Sequence, residues 1–198
     1  MSTPYFETVK SFADVPITDD GVDTPAFIEA SDGLITMFDL FGSAVFGFVQ
    51  NDLKTNLGGV RDKYHNARDR SPTLEKLVTS EAAEGHKYTT QCLTRFIRGL
   101  LFTLTALRHT QSSPSAEIHT CFKKAYDEVL RHQHGWAVRS VVSLAILSVP
   151  TRHTFFTQLA QGGDPSLLQS ELTKWLDGLD VVVKRMKAFL EEGGHGKV

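Results

Sequence analysis

The stretch QCLTRFIRGLLFTLTAL, residues 91–107, decides the fold class. Its apolar residues follow the helical spacing i, i+3, i+4, i+7, i+11 and i+14, and they are Leu93, Phe96, Ile97, Leu100, Leu104 and Leu107. Leu101 and Phe102 add apolar area beside that stripe, so the second half of the segment is apolar nearly all round. The pattern predicts a long helix, over about residues 81–110, that is buried between two layers.

The rest of the chain is also patterned as helices. Thr24 is a capping residue before Pro25, and helical patterns follow from Phe27 to about Gly42 and over about 47–66, 73–80, 115–131, 136–148, 151–160 and 165–191. Strand alternation between hairpin turns is absent. The sequence therefore predicts an all-α fold, a two-layer helical sandwich of about eight helices. We expect one domain over 1–198, with residues 1–23 as an N-terminal lead-in segment.

Composition and motifs exclude several classes of function. With 21 Lys and Arg against 23 Asp and Glu, the chain lacks the charge excess of a nucleic-acid-binding protein. The two cysteines, Cys92 and Cys121, are typical of buried reduced thiols in a cytoplasmic protein. The sequence shows neither a secretory signal nor an apolar run long enough to span a membrane. Enzyme signatures are missing, and His132 with His134 lacks a nearby carboxylate cluster. We predict neither an enzyme nor a bound metal or cofactor.

Three short patterns are candidates for a binding site, and each also has an ordinary structural explanation. Asp52 and Asn56 are four apart, so they share a helix face that either is solvated or binds an amide or hydroxyl. Arg95 and Arg98 either pair with acidic residues or form a cationic clamp beside an apolar chamber. The segment His134-Gly135-Trp136 opens an apolar helix, where Trp136 suits either the core or a membrane boundary.

Taken together and in order, these segments resemble the glycolipid transfer protein family. The stretches that carry the resemblance are MFDLFGSAVFGFVQNDLKTNL, TRFIRGLLF, AYDEVLRHQHGWAVRSV, SVPTRHTFF and the terminal KV, within about residues 24–198. The resemblance implies a two-layer all-α sandwich that carries one sphingolipid between membranes without covalent chemistry. It implies a headgroup site at the surface and a tunnel for the lipid chains between the layers.

The same resemblance implies roles for individual residues. Asp52 would bind the ceramide amide N–H and the first headgroup oxygen, and His134 would donate to the amide carbonyl. Trp136 would help to dock the protein transiently on a membrane. The residues implied as the lining of the chain tunnel are Phe38, Phe46, Val49 and Phe102. We expect a cytoplasmic monomer whose partners are a sphingolipid and a membrane surface.

The headgroup positions depart from both branches of the family. Asp52 and Asn56 match the glycolipid branch, but Gly59 stands at its lysine position and Arg95 at its sugar-stacking tryptophan. Arg95 also matches one of two arginines in the ceramide-1-phosphate branch, whereas Gln91 replaces the other arginine. By a small margin, these residues favour ceramide-1-phosphate or another phosphosphingolipid as the cargo. Transfer of a neutral glycosphingolipid, or a helical interaction protein that has lost transfer, are the alternatives.

Overall fold

The computed structural model describes residues 2–42 and 46–198, with the backbone alone of Phe46. This part of the chain forms nine α-helices: α1 Tyr5–Thr8, α2 Thr24–Met37, α3 Phe46–Asn66, α4 Leu74–Ala83, α5 Tyr88–Ser112, α6 Ile118–Val129, α7 Trp136–Leu147, α8 Arg152–Ala160 and α9 Pro165–Glu192. Short 3₁₀ turns cover Phe12–Asp14, Phe38–Phe41, Arg68–Arg70 and Arg131–Gln133. The all-α sandwich is confirmed, with eight longer helices and the single turn α1.

Helix α5 is the centre of the fold. All six residues of its predicted apolar stripe, from Leu93 to Leu107, are buried. The helix packs against α3, α6 and α9, so apolar neighbours surround it on several sides. The apolar character of the segment therefore follows from a position between other helices, as the sequence predicts.

The predicted start of the long helix was wrong. The chain leaves the helical path after α4, where Gly85 has a φ of +74°, and re-enters it at Tyr88. The buried Glu81 carboxylate accepts hydrogen bonds from the backbone N–H groups of Thr89 and Thr90 at 2.7 Å. Because Glu81 satisfies free donors at the start of α5, a residue of the preceding helix caps the central one.

The N-terminal segment, expected as a lead-in, contributes side chains to the core. Tyr5, Phe6 and Phe12 are buried, and α1 and the first 3₁₀ turn both pack against α9. A two-stranded antiparallel ribbon is formed by Ile17–Thr18 and Gly21–Val22. No strand was predicted from the sequence. Strands of two residues are too short to produce a period-two pattern.

Two predictions about helix ends have different outcomes. The N-cap of α2 is Asp23, whose carboxylate accepts from the Ala26 N–H at 2.9 Å, and not Thr24, which is the first helical residue. Helix α7 ends at Leu147, before Pro150, as predicted. A capping residue and a following proline fix a helix start only to within a residue.

Candidate functional site

An apolar cavity of about 60 Å³ lies between the helices around α5. It is lined by Met37, Phe38, Phe41, Val49, Phe102, Thr103, Leu107, Phe122, Val142, Ala145, Ile146, Val149 and Phe155. Three of the four predicted tunnel residues are in this lining, and the side chain of the fourth, Phe46, lies outside the described residues. The lining is almost wholly apolar, with Thr103 as its polar member.

A second pocket, of about 340 Å³, opens beside the first and is partly polar. Phe38, Val49, Phe102, Thr103 and Val142 line both cavities. Besides Thr103, the polar side chains of the second pocket are Asp52, Arg95, Arg98, Gln133 and His134. The fold thus brings residues from α3, α5 and the start of α7 to the mouth of an apolar space.

Helix α3 presents the Asp52 carboxylate to this pocket. The next residue, Leu53, is buried in the core, and this fixes the rotation of the helix. Within residues 2–42 and 46–198, the carboxylate of Asp52 has no hydrogen-bond or ion-pair partner. Asn56 is buried, and its amide nitrogen donates to the backbone carbonyl of Asp52 at 2.9 Å. The amide of Asn56 therefore supports the turn that carries Asp52, and direct contact of Asn56 with a headgroup stays a prediction.

The two arginines of α5 have different surroundings. The Arg98 guanidinium donates through Nε and Nη2 to the backbone carbonyl of Lys197, with an Nε to oxygen distance of 2.8 Å. Burial, with a contribution from the nearby charge of Arg95, lowers the pKa of Arg98 from its ordinary value. Arg95 is exposed, and no other described residue accepts a hydrogen bond from its guanidinium. Arg98 thus holds the C-terminus, while Arg95 has its donors available in the pocket.

This difference predicts a stability effect for Arg98. Arg98→Ala is expected to lower the free energy of unfolding by about 1 kcal/mol, because the bond to Lys197 joins distant parts of the chain. Denaturant unfolding measures the loss, and Arg95→Ala is the control, expected to change it by less than about 0.5 kcal/mol. In a chain that ends at Gly196, Arg98→Ala should have little further effect. Equal losses in the full and shortened chains would show that the bond to Lys197 contributes nothing.

His134 lines the same pocket, and a second side chain fixes its ring. Burial lowers the pKa of His134, so the ring is neutral at pH 7, although the charge of Asp52 acts in the opposite direction. The Tyr126 hydroxyl lies 3.1 Å from Nδ1 of the ring. A proton donated by Tyr126 to Nδ1 leaves the ring proton on Nε2, and that N–H can donate to a carbonyl. Sequence reasoning missed Tyr126. This residue lies in the last turn of α6, eight residues before His134.

Trp136 is the first residue of α7 and does not line either cavity. Its side chain is 83% exposed, and Leu144 and Leu147 on the same helix are 60% and 72% exposed. Most large apolar side chains of the described chain are buried, so α7 carries an unusual share of exposed apolar area. The structure thus brings Asp52, Arg95, Arg98 and His134 together and leaves Trp136 on the outer surface.

Comparison with known proteins assigns the chain to one family. The family model described as Glycolipid transfer protein (GLTP) matches residues 22–161. The chain belongs to the glycolipid transfer protein family. A glycolipid transfer protein of Aureobasidium melanogenum is 34% identical over 187 residues, which cover 94% of this chain and 92% of that protein. Members of this family are lipid transfer proteins and not enzymes.

A longer relative contains a similar region. The human pleckstrin homology domain-containing family A member 8 is 32% identical over 161 residues, which cover 78% of this chain. The matched region spans only 31% of the length of that protein. Its other regions therefore have no counterpart in this match.

Solved structures of both branches of the family share this fold. HET-C2, a fungal glycolipid transfer protein, superposes with a TM-score of 0.89 at 34% identity, over 94% of this chain and 96% of that chain. A structure described as FAPP2 selecting simple glycosphingolipids with the GLTP fold gives 0.88 at 26% identity, over 98% of each chain. Human ceramide-1-phosphate transfer protein in complex with its lipid gives 0.83 at 19% identity, over 98% of each chain, and it supports the fold alone.

Two kinds of feature are absent from the described part of the chain. Among residues 2–42 and 46–198, no helix is both long enough and apolar enough to cross a bilayer. In the same part of the chain, no three His, Cys, Asp or Glu side chains are grouped as a metal site would need.

Proposed function

We propose that this chain takes up one sphingolipid from a membrane and carries it to another, with the polar pocket holding the headgroup. The observation that carries this proposal is the shared wall between the pocket of Asp52, Arg95 and His134 and the apolar cavity. A ligand at this place needs a polar end and long apolar chains. Transfer requires only that uptake and release be nearly balanced in free energy, because no bond is made or broken.

The amide of the lipid would lie between Asp52 and His134. The carboxylate is an acceptor for the amide N–H and a headgroup hydroxyl, and the neutral imidazole is a donor for the amide carbonyl. Both ends of the amide are then paired at the entrance of an apolar space, which avoids the cost of an unsatisfied buried polar group. The chains would contribute about 0.8 kcal/mol for each CH₂ removed from water.

A neutral glycosphingolipid is the cargo that we propose. The Asp52 carboxylate and the Arg95 guanidinium give the pocket both an acceptor and a donor, which suits sugar hydroxyls that donate and accept. Two donors of Arg98 are already bonded to the C-terminal backbone, so the pocket has fewer free cationic donors than its sequence suggests. The comparisons do not confirm the initial preference for ceramide-1-phosphate.

Ceramide-1-phosphate is the second candidate because of one observation. The Arg95 guanidinium is exposed in the pocket, and no described residue occupies its donors. A planar guanidinium with free donors is well suited to a phosphate. The Asp52 carboxylate in the same pocket repels such a phosphate, and this places ceramide-1-phosphate behind the glycolipid.

A transfer assay with two labelled lipids tests the choice of cargo. We expect the native chain to move galactosylceramide between vesicles faster than ceramide-1-phosphate, because only one arginine is free for the phosphate. Arg95→Trp should shift the preference further towards galactosylceramide, by about tenfold, since it removes a charged hydrogen bond of about 1.5 kcal/mol and adds an aromatic ring.

The same assay contains the results that would contradict the proposal. If the native chain transferred ceramide-1-phosphate faster, that lipid would replace the glycolipid as the proposed cargo. An unchanged preference in Arg95→Trp would mean that Arg95 does not contact the headgroup. Native mass spectrometry of the purified protein gives an independent readout, because a bound glycosphingolipid has a defined mass. A chain that moves neither lipid and carries none would favour an interaction role instead.

We further propose that α7 meets the membrane during uptake and release. Trp136, Leu144 and Leu147 are exposed apolar residues on one side of this helix, and Val138 of the same helix lines the headgroup pocket. Tryptophan suits the boundary between water and lipid, because its ring is apolar and its N–H is polar. We propose that the chain acts as a cytoplasmic monomer that contacts membranes transiently.

A further inference from the structure

An exposed aromatic ring lies at the start of the central helix, two turns from the headgroup pocket. Tyr88 is the first residue of α5, and its side chain is 63% exposed. It precedes Arg95 by seven residues, so the two side chains lie on the same helix face. The exposed face of this ring is therefore available to a ligand that extends from the pocket.

A glycine on the facing helix makes room for this ring. Gly59 follows Asp52 by seven residues on α3, so it lies on the same face of that helix. A Cβ atom at Gly59 would lie 3.3 Å from Cε1 of Tyr88 and 2.8 Å from the Cys92 sulfur. One edge of the ring therefore rests against the backbone of α3, while most of the ring stays open to solvent.

The ring and the pocket both lie along the packed helices α3 and α5. Cys92 is buried between them, one turn from Tyr88 and three residues before Arg95. Burial raises the pKa of the Cys92 thiol, and the Tyr88 hydroxyl and Arg95 charge lower it. The charge of Asp52 also acts on this thiol. Tyr88, Cys92 and Arg95 therefore follow one another along the same side of α5.

We propose that Tyr88 is a specificity-determining residue whose exposed ring face packs against the second sugar of a two-sugar headgroup. This inference rests on the proposed glycosphingolipid cargo. Seven helical residues separate Gly59 from Asp52, which is about 10 Å along the axis. The group attached directly to ceramide is held beside Asp52 and Arg95, so the ring lies within reach of the next sugar. The C–H face of a sugar is apolar and suits an aromatic surface, whereas its hydroxyls remain in water.

The test compares transfer of dihexosylceramide with transfer of monohexosylceramide between vesicles of the same phospholipid composition. Tyr88→Ala should lower transfer of the two-sugar lipid about three- to tenfold, the effect of losing one aromatic stacking contact. Transfer of the one-sugar lipid should change less than about twofold, since that lipid ends before Tyr88. Tyr88→Phe keeps the ring and should retain the native ratio of the two rates.

A matched control and two contrary outcomes make the test decisive. His86→Ala removes another exposed ring two residues earlier, which lies beside Glu84, and it should leave both rates unchanged. An equal loss for both lipids in Tyr88→Ala, or no loss for either, would overturn the role of Tyr88 while the proposed cargo stands. Failure of the native chain to move either lipid would overturn the cargo and this inference together. The midpoint of thermal unfolding of each variant separates lost contacts from lost folding.

Discussion

Asp52→Val is expected to lower sphingolipid transfer about 100-fold or more, the largest effect of any single change at the pocket. The substitution would leave the lipid amide N–H and a headgroup hydroxyl without an acceptor, and each unpaired group costs about 1–3 kcal/mol. The native carboxylate is exposed and has no hydrogen-bond partner in the described part of the chain, so its removal costs the fold little. Transfer between vesicles and the far-ultraviolet circular dichroism spectrum measure the two quantities.

Two further variants make the result of Asp52→Val interpretable. Asp52→Asn keeps one oxygen acceptor, so it should transfer more lipid than the valine variant and less than the native chain. Asp69→Val removes an exposed carboxylate from the 3₁₀ turn after α3, outside the pocket, and should transfer like the native chain. Native transfer rates in Asp52→Val would rule out the assignment of this pocket to the headgroup.

Ala145→Leu is expected to lower transfer by at least about tenfold, which corresponds to about 1.4 kcal/mol. Ala145 is buried on α7 and lines the apolar cavity, whose volume is only about 60 Å³. The larger side chain would occupy space that we propose for the lipid chains, so the lining helices would have to move apart for the same cargo. The initial rate of transfer and the amount of lipid retained after purification both measure this effect.

The fold of Ala145→Leu must be followed in the same experiment. Overfilling a packed core costs about 1–3 kcal/mol, and thermal unfolding would reveal such a loss. Ala82→Leu makes the same chemical change at an exposed position of α4 and should leave transfer unchanged. Normal transfer by a stable Ala145→Leu protein would mean that the chains occupy a different part of the molecule.

The sequence predicted the helices well and their ends less well. The stripe from Leu93 to Leu107 placed α5 correctly in the core. A buried helix face requires apolar residues at helical spacing, and that spacing is visible in the sequence. The break between α4 and α5 escaped that reasoning, since it depends on Gly85 and on the contact of Glu81 with the first turn of α5. Such contacts join residues that no periodicity connects.

The candidate site could be predicted only in part. Spacing along one helix put Asp52 and Asn56 on the same face of α3. It could not place that face opposite α5, nor set the Tyr88 ring against Gly59. The partnership of Tyr126 with His134 likewise depends on how the chain turns between α6 and α7.

The sequence by itself determined that this chain is helical, that α5 is buried, and that it resembles sphingolipid carriers. Those properties depend on residue types at regular spacing, which the one-dimensional pattern records. Only the tertiary structure showed which group Arg98 binds, because that carbonyl belongs to Lys197, 99 residues away. A hydrogen bond forms only between groups that are close in space, and the packing of α5 against the C-terminal residues brings Arg98 and Lys197 together.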